Sequence, residues 1–88
     1  MEVLYESAFS REIRIAMYAH QVMRDHESEY PIAIEVCEGA VTLSTEEQEL
    51  ILPKGEILGL EAGVKHHIEA LQETLLRLTI FISGEAEV

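Results

Sequence analysis

The sequence predicts an all-β fold, a sandwich or a barrel, on three observations. The stretch Ile32-Ala33-Ile34-Glu35-Val36-Cys37-Glu38 alternates in polarity and is rich in β-branched residues. Short apolar runs recur along the chain, with turn signals about every eight to twelve residues. Those turns carry residues that break strands, at Gly39, Pro53-Lys54-Gly55 and Glu61-Ala62-Gly63.

Taken in order, the first segment with a pattern lies between Ser10 and Asp25. Ile13, Ile15 and Met17 alternate there as a strand would, yet Ile15, Tyr18 and Val22 would also share a helical face. Next comes the clearest strand, which puts Ile32, Ile34 and Val36 on one face and Glu35 on the other. Ala40 to Leu43 is its return, and Ser44-Thr45-Glu46-Glu47 is a polar hairpin turn. Leu50 to Leu52 forms another strand, and Ile57 to Leu60 a short one. From Ile68 to Leu78 the pattern again divides. Ile68, Leu71, Leu75 and Leu78 fall at helical spacing, whereas Leu76, Leu78, Ile80 and Ile82 alternate.

Composition narrows the function classes. The chain of 88 residues is the size of one domain, spanning residues 1–88. Seventeen acidic side chains against six basic ones give a formal net charge of −11, which opposes binding to nucleic acid or to an anionic membrane surface. Cys37 is the only cysteine, so no internal disulfide forms. Residues Met1 to Arg14 lack the pattern of a signal peptide, and no apolar run approaches the ~20 residues of a membrane span. A cytoplasmic location is expected. Hydrophobic residues make up 48% of the chain, more than a lone barrel of this size needs. A homodimer is therefore expected, with Phe81, Leu75 and the N-terminal strand as interface material. There is no glycine-rich phosphate loop, no cysteine pair for zinc and no serine nucleophile with its base.

By spacing, His26, Gly39, Gly55, Gly63 and His66 resemble the paired motifs of the cupins. The family's first motif runs glycine, five residues, histidine, one, histidine, three or four, glutamate, six, glycine. Its second runs glycine, five, proline, one, glycine, two, histidine, three, asparagine. Laid on this chain without internal gaps, five of the ten positions match, with fifteen residues between Gly39 and Gly55. The resemblance covers roughly His20 to Ile82. It implies a small single-domain cupin of the conserved-barrel, RmlC-like kind: an all-β double-stranded β-helix, or jelly-roll barrel, of two antiparallel sheets. Under it, both ambiguous segments become strands.

The departures from the family pattern bear on function. Metal-binding cupins bring three histidines and one carboxylate into the barrel. Here His26 and His66 stand at two histidine positions, but Ser28 stands at the other and Ile32 at the glutamate. Glu61, Ala70 and His20 occupy the proline, asparagine and leading glycine positions. Two imidazoles fall short of the three protein ligands of a catalytic metal site.

The expected function is therefore a barrel that binds or senses a small molecule. His26 and His66 would converge as polar anchors in a largely apolar pocket, with Ser28, Tyr30 and Ile32 beside them. One alternative is a metal-dependent enzyme, dioxygenase- or isomerase-like, in which His26 and His66, with His20 as a third candidate ligand, hold iron, manganese, nickel or zinc. Another is a non-catalytic oligomerisation unit whose barrel is filled by its own side chains. His67 should face away from the interior, as should Cys37, beside which the sequence places no basic group. Glu46, Glu47 and Glu49 read as a solvated hairpin.

Overall fold

The computed structural model describes residues 1–82, with the backbone alone at positions 25 and 26. Nine strands follow in order: β1 (Glu2–Glu6), β2 (Ser10–Met17), β3 (Val22–His26), β4 (Ile32–Glu38), β5 (Ala40–Ser44), β6 (Glu49–Pro53), β7 (Ile57–Leu60), β8 (His66–Ala70) and β9 (Thr74–Phe81). They form two antiparallel sheets, one of order β1-β2-β9-β4-β7 and one of order β3-β8-β5-β6. No helix occurs among the described residues, and so none is long and apolar enough to cross a membrane.

The segments with two readings are strands because of distant partners. Ser10 to Met17 pairs residue for residue with Phe81 back to Thr74. An unbroken ladder of that length outweighs weak local helix preference, since β structure is fixed by cross-strand packing. The alternation then sets the core. Ile13, Ile15, Met17, Ile32, Ile34, Val36 and Leu76 of the first sheet meet Val41, Leu43, Leu52, Ile68 and Ala70 of the second, all of them buried.

The turns use local side chains where glycine is missing. After β1, the Ser7 hydroxyl accepts hydrogen bonds from the N–H groups of Phe9 and Ser10, each at 3.1 Å. Between β5 and β6, Thr45 Oγ1 accepts from the N–H groups of Glu47 and Gln48, each at 3.3 Å. β4 passes into β5 at Gly39, which has φ +88° and lies against Thr74. The Thr74 hydroxyl is buried there, accepting from the Ala40 N–H at 3.3 Å and donating to the Gln72 carbonyl at 2.8 Å.

Across the outer face of the five-stranded sheet, Arg77 forks onto Glu12 through Nε at 3.3 Å and Nη2 at 3.0 Å, and the Thr79 hydroxyl donates to the same carboxylate. The Glu12 side chain is only 17% exposed. Arg77 first, and Thr79 second, hold the Glu12 carboxyl below its ordinary value, while Arg77 is held more firmly protonated by Glu12. A depressed carboxylate pKa stabilises the fold above the unfolded value, about 4.3, and that contribution is lost as pH falls through the folded value. Glu12→Gln should therefore flatten the dependence of melting temperature on pH below about 4.5, relative to the parent chain. An unchanged acid limb in the variant would show that the pair adds nothing. The ladder also sets Arg77 opposite Glu35, two residues from Cys37, so a basic group does stand near this half-buried thiol. That neighbour comes from β9, and the sequence around position 37 gives no sign of it.

Candidate functional site

His66 opens β8, and its ring is 4% exposed, with Nδ1 3.1 Å from the Val64 carbonyl. A carbonyl can only accept, so in this contact Nδ1 carries a proton and donates it. Strand parity explains the burial. His66, Ile68 and Ala70 all point inward, and the intervening His67 and Glu69 face outward. His67 is half-buried on that outer face, in register with Ser44.

β3 supplies the second histidine position through a change of phase. Met23 pairs with Ile68, but His26, not Asp25, pairs with His66. One extra residue lies on β3 between those pairs, a β-bulge. The side chain of His26 lies outside the described residues, so the expected meeting of the two imidazoles rests on backbone register alone.

The barrel interior differs from the expected open apolar pocket. Ile15, Met23, Ile34, His66, Ile68 and Leu76 surround a cavity of only about 10 Å³, which they share with Leu78. That space is at the lower limit for one water molecule. The core side chains from both sheets fill what a looser packing would leave open.

Larger spaces lie outside, where the ends of the strands meet. Ser44, Thr45, Glu46, Lys65, His66 and His67 line a groove of about 330 Å³. A neighbouring groove of about 460 Å³ shares Thr45, Glu46 and Lys65 with it and adds Glu27, Glu47 and Glu61 among others. The two together carry several carboxylates and one lysine, so this end of the barrel has a negative field. His66 thus borders both the small interior cavity and the outer groove.

The other expected site residues are dispersed. Ser28 and Tyr30 line a separate cleft of about 400 Å³ with Arg11, Glu29, Ile80 and Ile82. The Ser28 hydroxyl accepts from the Tyr30 N–H at 3.1 Å, and its carbonyl accepts from the Gly63 N–H at 2.8 Å, so Ser28 ties two loops together. Ile32 belongs to the core, 4% exposed and paired with Leu60 and Ile80. His20 does not stand with the other two. It is exposed, has φ +69°, and donates its N–H to the Ala70 carbonyl at 2.7 Å, at the opposite end of β8 from His66. Four residues of strand span about 13 Å, which removes His20 as a ligand shared with His66.

These positions test the metal set that the cupin motifs imply. A hydroxyl used in a turn replaces one imidazole, a core isoleucine replaces the carboxylate, and His20 lies at the other end of the strand. No group of three or more His, Cys, Asp or Glu side chains suited to a metal ion occurs among the described residues. This donor set does not fit the three-histidine, one-carboxylate centre.

No protein-family model and no curated protein sequence matches the chain. Solved structures do match it in fold. A cupin superfamily protein from Desulfitobacterium hafniense superposes with a TM-score of 0.86 at 14% identity, covering 92% of this chain and 74% of that one. An RmlC-like cupin from Desulfovibrio desulfuricans gives 0.84 at 21% identity, covering 92% and 79%. An RmlC-like cupin with a double-stranded β-helix fold from Methanocaldococcus jannaschii gives 0.82 at 19% identity, covering 91% and 76%. With two antiparallel sheets, no helix among its described residues and these neighbours, the chain has the cupin fold.

Proposed function

We propose that this cupin is a binding module that takes a small molecule at the end of the barrel, over His66, and not in the barrel interior. One observation carries this reading: a buried imidazole borders an open groove of about 330 Å³ while the cavity behind it measures about 10 Å³. A ligand seated in the groove would lie against this imidazole, a polar group at the edge of an apolar interior. His26, in register with His66, is the second anchor. The ligand is neutral or cationic, because Glu46 with the adjoining Glu27, Glu47 and Glu61 disfavours an anion.

Thermal denaturation against a panel of neutral, cationic and anionic small molecules tests this. A ligand at about 100 times its Kd stabilises by about 2.7 kcal/mol, which for a domain of this size raises Tm by roughly 10 °C or more. We expect such a rise from a neutral or cationic compound, and its loss in His66→Ala. A rise that survives the substitution would move the site elsewhere.

The filled interior also favours a second reading, a non-catalytic assembly unit whose barrel holds only its own side chains. That reading gains if no compound in the panel raises Tm and His66→Leu leaves the chain as stable as before.

A further inference from the structure

The end of the barrel away from His66 carries a second groove. It holds about 470 Å³, a volume usual for small-molecule pockets, and lies where β2 ends and β9 begins. Three strands share one outward row there. Ala16 of β2 stands opposite Leu75 of β9, and Leu75 stands opposite Glu38 of β4. Strict alternation would turn Glu38 inward after Ile34 and Val36. The register shift between Val36 and Glu38, a β-bulge, sets it on the outer row instead, where it is exposed.

Tyr18 and Glu73 extend this wall past the last paired residues, Met17 and Thr74. Tyr18 is 79% exposed, yet its backbone is held on both sides. Its N–H donates to the Gln21 side-chain oxygen at 2.9 Å, and its carbonyl accepts from the Gln21 N–H at 3.1 Å. A wet aromatic residue is thus fixed beside a small one, Ala16, which leaves the groove its depth.

Charge selects the occupant. Glu38 and Glu73 are the charged side chains lining the groove among the described residues. Glu38 is paired with Lys54 at 3.1 Å, whereas Glu73 forms no ion pair among the described residues. The next outward row holds Arg14 and Arg77, already matched by Glu2 and Glu12. An apolar floor with an unmatched carboxylate at its rim suits a cation with a hydrocarbon body, and a tyrosine ring attracts the same charge.

We propose that this groove binds a primary ammonium ion with an aryl or alkyl body. The body lies against Ala16 and Leu75, and the ammonium sits at Glu73 beside the Tyr18 ring. The inference is independent of the site over His66, with which the groove shares no residue.

Amide chemical shifts of the isotope-labelled full chain, titrated with benzylammonium, neutral benzyl alcohol and benzoate, test it. We expect millimolar benzylammonium to move the amides of Ala16, Tyr18 and Leu75. Benzyl alcohol should bind there at least about fivefold more weakly, and benzoate should leave these amides in place. Glu73→Gln should reduce benzylammonium to the affinity of the alcohol. Ala16→Lys, which fills the groove and brings its own ammonium, should abolish both. Both substituted positions are exposed, so the rest of each spectrum should match the parent chain. Gln48→Lys adds the same charge at the other end and should leave the binding intact, as should His66→Ala. Equal affinity for cation and alcohol overturns the proposal, as do groove amides that benzylammonium leaves unmoved. So does binding that survives Ala16→Lys, and so does binding that falls as far in Gln48→Lys, which would mark diffuse attraction to an acidic chain.

Discussion

Gly39→Ala is expected to lower the unfolding free energy by about 2–5 kcal/mol. Two costs add. The backbone has φ +88°, where a side chain strains the chain by about 1–2 kcal/mol. A Cβ would also lie 2.5 Å from Thr74 Oγ1 and 2.8 Å from Thr74 Cα, and closer still to the Glu73 carbonyl oxygen. Backbone atoms cannot rotate away, so β9 must shift from β4 and β5, at a further cost of about 1–3 kcal/mol. Gly55→Ala is the control. Its φ is +91°, but nothing lies within 4 Å of the added atom, so only the conformational cost of about 1–2 kcal/mol remains. Urea denaturation of both variants separates the two contributions. Equal losses would show that the contact with Thr74 relaxes freely.

The second large effect concerns the position where the family carries glutamate. Ile32→Glu should cost about 3–5 kcal/mol at neutral pH, because it sets an unpaired carboxylate in the core. Burial raises the pKa of such a group, so the charge penalty is present above the folded value. It shrinks as pH falls toward the ordinary value of about 4.3, where both states are protonated. The variant should therefore lose less stability at pH 5 than at pH 7, the difference being at least on the order of 1 kcal/mol. Adding Ser28→His would complete the family's ligand pattern. Because residue 28 lines a separate cleft from His66, nickel or zinc should nevertheless leave the stability of that variant unchanged. An Ile32→Glu chain as stable as its parent, with no pH dependence, would place residue 32 outside the interior.

Much of the fold is legible because its signals are local. The alternation of residues 32–38 and the turn at Ser44–Glu47 need no distant partner to be recognised, and both appear as expected in β4 and the β5–β6 hairpin. The segments around Ile13 and Leu76 are ambiguous for the opposite reason. Their strand character comes from pairing with each other across more than half of the chain, which local periodicity cannot register. His20 is instructive too. It stands where the motif that the chain resembles has its leading glycine, and it adopts φ +69°, the left-handed conformation that glycine favours.

The candidate site is less legible. The motif groups Ser28 and Tyr30 with His66, yet they line a different cleft. Motif spacing records distance along strands and says little about which side of a loop a residue occupies. The filled interior is also hidden from sequence, since a void depends on how side chains from β2, β4, β8 and β9 interlock to a fraction of an ångström.

The extra residue on β3 makes segment length as informative as residue identity. From Met23 to His26 the chain advances three positions while its partner, from Ile68 to His66, advances two. Removing one residue from that span would equalise the two advances, so the bulge would vanish and the first histidine would stay on the row it shares with the second. A second deletion, or a further insertion, would instead carry that histidine off the row with every named side chain still present, so comparisons across this fold should count residues before they match letters.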